Sequence, residues 1–159
     1  VGNFQKAVLE LNKPSEGDRV EAVQQTAGTT KSGNVVVIDL KVENEIMQYD
    51  KKLITVKAGQ KVVINLENPD GMQHNLLIIK PGSLQKVGKA ADDMLRDPKA
   101  AEKQYVPKMP EVLFATKLVS TGETVSLEFT VPNVPGDYPF VCTFPGHWRG
   151  MNGIMRVTK

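Results

Sequence analysis

The chain has 159 residues, with 20 Lys+Arg against 18 Asp+Glu and a formal charge of +2. That length suits one domain and leaves little room for two, and so small a surplus gives no basis for a nucleic-acid-binding face. One Cys excludes an intramolecular disulfide and any zinc site built on two or four Cys, and two His exclude a three-His zinc site.

Residues 1–33 differ from the rest. Phe4, Val8 and Leu11 recur at helical spacing, and Lys13-Pro14-Ser15 ends the pattern. Thr26 to Gly33 is Thr, Gly, Ser and Lys, a linker composition. This predicts an N-terminal arm or linker over 1–33 and a single domain over 34–159. From Asn34 onward the pattern is mostly strand. Val36, Ile38, Leu40 and Val42 alternate with Val37, Asp39, Lys41 and Glu43, as in a half-buried strand. Lys52–Val56 and Lys61–Leu66 follow, parted by the turn Ala58-Gly59-Gln60, and Asn75–Ile79 is a short apolar run closed by Pro81-Gly82.

Ser83 to Tyr105 breaks the pattern. Leu84, Val87, Ala91, Met94 and Leu95 form a helical stripe with Ser83 as N-cap, and Asp97-Pro98 reads as a second N-cap with Pro at the first helical position. The expectation is a helical insertion of about two short helices. Gly82 to Lys89 is not a phosphate loop, because five residues separate its glycines and Ala90 replaces the Ser/Thr. Strands resume at Val112–Leu118, Thr124–Val131, Tyr138–Cys142 and Ile154–Thr158. About eight short strands with turn punctuation predict an all-β antiparallel sandwich or barrel.

No apolar run exceeds four residues, far short of the ~20 a membrane-spanning helix needs. No signal-peptide pattern is visible, and a start at Val1 fits either a processed protein or a piece of a longer one.

The chemically dense stretch is Cys142-Thr-Phe-Pro-Gly-His147-Trp-Arg-Gly-Met151, which holds the single Cys and one of the two His in a Cys-x4-His-x3-Met spacing. It lies between two predicted strands, so the chain must turn within it, and Pro145-Gly146 suits a turn. His74, 68 residues before Cys142, follows the turn Asn68-Pro69-Asp70-Gly71. One end of a sandwich can bring the two segments together. Two imidazoles, a thiolate and a thioether are the donors of a trigonal copper site with a weak axial Met. Each residue alone has a plainer reading: Cys142 continues the period of Tyr138 and Phe140 as core, and His74 precedes Leu76-Leu77. Met155 alternates with Ile154 and Val157 and reads as core.

Cys-Thr-Phe-Pro-Gly-His with Met four residues on resembles the copper loop of cupredoxins of the azurin kind, and Met72-Gln73-His74-Asn75 is similar to their Met-Gly-His-Asn. Thr116-Lys117-Leu118 with Thr121-Gly122-Glu123 adds to the likeness, which covers roughly 35–159. The resemblance implies a Greek-key β-sandwich and one type 1 copper. His74, Cys142 and His147 would be equatorial ligands and Met151 the weak axial one. It also implies electron carriage by Cu(II)/Cu(I) cycling without enzyme activity, alone or as the redox module of a larger protein, in the periplasm or otherwise exported. Asn75 would tie the ligand loops together, its backbone N–H pointing at the Cys142 sulfur. Met72, Phe144, Pro145 and Trp148 would form an apolar rim around a solvent-near His147, where a redox partner docks. The chain departs from the pattern at Gln73, which replaces the Gly before His74, at Trp148-Arg149-Gly150, and in having no second Cys. Two other readings stay open: a copper-delivery module using the same ligands, and a structural sandwich whose arm makes contacts.

Overall fold

A computed structural model describes residues 30–32 and 35–159, with side chains from 35 onward. The helix expected at Phe4–Leu11, and the arm apart from 30–32, lie outside the described residues. The strands are β1 (Thr30–Ser32), β2 (Val35–Glu43), β3 (Gln48–Tyr49), β4 (Leu53–Lys57), β5 (Lys61–Asn68), β6 (Leu77–Ile79), β7 (Val112–Ala115), β8 (Glu123–Thr130), β9 (Gly136–Val141) and β10 (Asn152–Thr158). A helix α1 (Leu84–Asp93) lies between β6 and β7. All eight predicted strands are present.

The strands form two five-stranded sheets, one in the order β1-β2-β5-β8 with β3 on β2, the other β4-β10-β9-β6-β7. The architecture is an all-β sandwich with a helical insertion. The antiparallel expectation needs correction at two places, because β2 pairs parallel with β5 and β4 parallel with β10. Both pairings join strands that cross from one end to the other, a relation that local periodicity does not encode. Thr30–Ser32, within the stretch of linker composition, pairs antiparallel with Val35–Val37. An edge strand leaves unpaired backbone groups, and a neighbouring segment satisfies them.

Between the sheets, Ile38, Leu40 and Val42 of β2 meet Leu66, Leu127, Phe140 and Met155. Each side chain of that size contributes about 1.5–3 kcal/mol on leaving water. Strands β6 and β9 are buried on both faces. Leu76 and Ile78 belong to the inter-sheet core, whereas Leu77, Ile79 and Val141 face outward into a second cluster with Val87, Ala91 and Trp148. The insertion therefore covers the outer face of this sheet, which explains the unbroken apolar run at β6.

Only the first of the two expected helices forms. It ends in a 3-10 turn at Met94–Arg96, and 97–105 is a run of turns. Asp97 does act as a cap, accepting the Lys99 N–H at 2.8 Å. Most later bonds span three residues rather than four, and Gln104 and Tyr105 have left-handed φ of 60° and 55°, which stops propagation. Ser83 sits at the N-cap position, but its hydroxyl donates to the Lys80 carbonyl instead of capping α1. Leu95, placed in the apolar stripe, is exposed because the stripe ends with the α-helical turn.

Candidate metal centre

One end of the sandwich gathers the four expected residues. Cys142 directly follows β9, and Met151 directly precedes β10. Their backbones pair, the Cys142 N–H donating to the Met151 carbonyl at 3.1 Å. The intervening loop is wound tight: the His147 N–H donates to the Phe144 carbonyl, and the Met151 N–H to the His147 carbonyl. Gly146 supports this turn at φ +83°, a conformation that side-chain-bearing residues rarely adopt. His74 is held from the other side by two backbone bonds to Val119, at 3.2 and 2.7 Å.

The ligand atoms of His74, Cys142 and His147 all lie within 4.8 Å of one another, and all three residues are buried. Cys142 Sγ is 3.9 Å from His74 Nδ1 and 3.6 Å from His147 Nδ1. Metal–nitrogen and metal–sulfur bonds of about 2.0–2.3 Å in a trigonal plane would place these atoms about 3.8 Å apart. Both sulfur–nitrogen edges thus match those of a single ion held between the three atoms. Met151 is fully buried beside it in sequence and in the same core. Met155 is core, as its strand alternation predicts.

Asn75 joins the two segments. Its Oδ1 accepts the Thr143 N–H at 2.8 Å, and its Nδ2 donates to Thr143 Oγ1 and to the Gln104 carbonyl. The Asn75 backbone N–H points at the Cys142 sulfur, as the resemblance implies, and so does the Phe144 N–H, which sequence reasoning missed. Burial pushes the Cys142 thiol up to about 12, and the two N–H groups pull the other way. Metal binding must displace that proton. The Tyr49 hydroxyl donates to the Asn75 carbonyl at 2.6 Å, and burial raises it well above the usual phenol range, with Cys142 adding to the effect.

The surroundings of His147 differ from expectation. The residue is only 2% exposed. Its ring lies 4.9 Å from that of Phe144, which in turn meets Tyr105 edge-on at 5.4 Å. Its Nε2 is buried with no hydrogen-bond partner among the described residues. Burial, and then the nearby His74, pushes its pKa down to about 4. Trp148, expected in the exposed rim, is buried. It packs in the second cluster against α1, its Nε1 donates to Asp92 Oδ1 at 3.1 Å, and the Arg149 guanidinium lies 4.5 Å over its ring while also reaching Asp92 Oδ2. Of the expected rim, Met72 is exposed and Phe144 and Pro145 are half-buried.

Asp70, which the sequence reading placed only in a turn, belongs to the site. Its Oδ2 accepts from His74 Nε2 at 2.9 Å, and its Oδ1 accepts from the Glu45 N–H at 2.6 Å. The Glu45 bond, followed by the His74 bond, holds its carboxyl at about 2. The available signal was the four-residue spacing from Asp70 to His74.

A β-sandwich carrying two imidazoles, a thiolate and a thioether at one end is a mononuclear type 1 copper protein. Residues 36–158 match the copper binding proteins of the plastocyanin/azurin family, and the chain belongs to that family. It is 34% identical to auracyanin-A of Chloroflexus aurantiacus over 124 residues, 77% of this chain and 74% of that protein. It is also 34% identical to azurin-1 of Alcaligenes xylosoxydans xylosoxydans over 123 residues, 72% of this chain and 92% of that one. Among solved structures, auracyanin A, described as a "blue" copper protein from Chloroflexus aurantiacus, matches with a TM-score of 0.69 at 31% identity, covering 78% of this chain and 99% of that one. Auracyanin from Roseiflexus castenholzii matches with a TM-score of 0.68 at 33% identity, covering 77% and 97%.

Proposed function

We propose that His74 Nδ1, Cys142 Sγ and His147 Nδ1, with Met151 as a weaker fourth donor, would hold one copper ion, and that the protein uses it to carry single electrons. The observation that carries this reading is the buried triangle of two imidazole nitrogens and one sulfur. Copper, when bound, supplies a one-electron couple. The chain's own part is to keep the donors where they are in both states. Asn75 and Thr143 lock the cysteine loop to the His74 segment, and the Asn75 and Phe144 N–H groups favour sulfur as thiolate. Burial of all four residues excludes water from the donors. It also opposes a delivery role, which needs an open, exchangeable site.

The partner is a redox protein that approaches over Phe144 and Pro145 with Met72 beside them, while Trp148 supports this face from beneath α1 rather than touching the partner. The copper domain is residues 34–159, with 1–33 as an arm or linker. The setting is the periplasm or another exported one, in keeping with azurin and auracyanin relatives; among the described residues no helix is long and apolar enough to cross a membrane. The test is to add Cu(II) to the metal-free protein and record the visible spectrum. An intense blue band that Cys142→Ser abolishes supports the reading, and a protein that stays colourless overturns it.

A further inference from the structure

The two imidazoles of the site are not held alike. His74 Nε2 meets the Asp70 carboxylate at 2.9 Å, whereas His147 Nε2 meets no hydrogen-bonding group among the described residues. Asp70 is 4% exposed, and every side of it is tied down. Oδ1 accepts the Glu45 N–H, and Oδ2 accepts the Met72 N–H at 3.3 Å as well as His74. The Asp70 N–H donates to Asn68 Oδ1 at 2.9 Å, and its carbonyl accepts from the Thr121 hydroxyl at 2.8 Å. Asn68 in turn donates to the carbonyls of Met72 and Val119. Asp70 is thus a fixed anion and not a mobile surface carboxylate.

From this geometry we infer that Asp70 is a positioning residue for the copper: it fixes the tautomer of His74 and holds the reduction potential down by favouring Cu(II). The inference rests on His74 being a ligand. An ionised carboxylate can only accept, so the proton of His74 must sit on Nε2, which leaves the Nδ1 lone pair free to face Cys142 Sγ. The ring is also stopped from rotating, since Nε2 is anchored at the far side. A carboxylate on the outer nitrogen raises the basicity of the inner one, and a negative charge one imidazole away from the metal stabilises the higher oxidation state more than the lower. With only one of the two imidazoles so equipped, the effect enters the site through His74 alone.

The experiment is to measure the reduction potential of the copper-loaded wild type, Asp70→Asn and Asp70→Glu, together with the ¹⁵N NMR spectrum of the Cu(I) wild type. Asn keeps an acceptor and removes the charge. The expected result is a blue Asp70→Asn protein whose preference for Cu(II) over Cu(I) falls roughly tenfold, a rise of about 59 mV for one electron, with Asp70→Glu recovering most of the change. A blue Asp70→Asn protein with the wild-type potential overturns the inference while leaving the ligand assignment intact. A wild type that never turns blue overturns the ligand assignment itself. Where Asp70→Asn does not fold, the NMR spectrum decides. A His74 Nε2 proton that exchanges slowly and lies far downfield, as in a hydrogen bond to a carboxylate, supports the inference, and one with the shift and exchange of a water-exposed imidazole overturns it.

Discussion

The indole of Trp148 occupies the space where a side chain at Gly88 would begin. A Cβ built on Gly88 collides with Cδ2, Cε2 and Cε3 of the ring. The contact joins the copper loop to α1 across 60 residues of chain, and Asp92 adds a hydrogen bond from the same helix to Trp148 Nε1. Gly88→Ala gains about 1 kcal/mol of helix propensity but overpacks a closed contact, at about 1–3 kcal/mol. The ring cannot swing away without breaking the Asp92 bond, so the steric loss wins. We expect a lower thermal midpoint for Gly88→Ala. The double variant with Trp148→Leu should lose less than the sum of the two singles. Strict additivity would mean that the two residues do not share this contact.

Trp148 also illustrates what could be read beforehand. The strands were legible because Val36–Val42 and Thr124–Val131 carry the two-residue period of a sheet with one wet face. The candidate ligands stood out because soft donors are so few that their spacing is conspicuous, and the fold brings His74, Cys142 and His147 together. Trp148 was misplaced because its burial depends on Gly88, far away in the chain. The trace it left was a glycine inside an otherwise helical stripe, which usually has a packing reason. Strand β3 has two residues and no period to detect. The cover on His147 comes from Phe144 backed by Tyr105, a residue at the far end of the insertion. Asp70 was passed over as a turn residue, although its four-residue spacing to His74 was there to read and the folded 68–71 turn brings the two together.

Asn75→Leu should loosen the site without removing a ligand. It strips the acceptor from the buried Thr143 N–H, and an unpaired buried donor costs about 1–3 kcal/mol. The bonds to Thr143 Oγ1 and the Gln104 carbonyl go with it. We expect a lower denaturant midpoint for the metal-free protein and faster copper loss to a chelator. An unchanged release rate would show that the cysteine loop is held by its own turn alone.

Met151→Leu should keep the blue colour and raise the reduction potential. The side chain is fully buried in the inter-sheet core, and a volume-conserving swap there costs less than about 1.5 kcal/mol. The three equatorial donors are untouched, so the copper–thiolate absorption persists. If Met151 is the weaker fourth donor proposed above, it tunes the couple, and its loss would remove electron donation that helps Cu(II) more than Cu(I). A colourless variant that still folds would mean that Met151 does more than bind weakly.

The metal-free protein should lose stability in acid over a window set first by His147 and then by Asp70. Burial, with His74 nearby, lowers the His147 pKa from 6.5 to about 4. Between those values the unfolded chain binds a proton that the folded chain refuses, so stability rises with pH there and falls as pH drops from 6.5 towards 4. Asp70 is lowered from 3.8 to about 2, chiefly by the Glu45 N–H and His74. Its contribution is full above 3.8 and is lost as pH falls through about 2. Urea midpoints of the metal-free protein at intervals from pH 7.5 down to 4 should therefore decline mainly below 6.5. His147→Gln, which has no proton to refuse, should flatten that decline. A wild-type profile already flat between 6.5 and 4 would mean that His147 titrates freely and is not enclosed by Phe144.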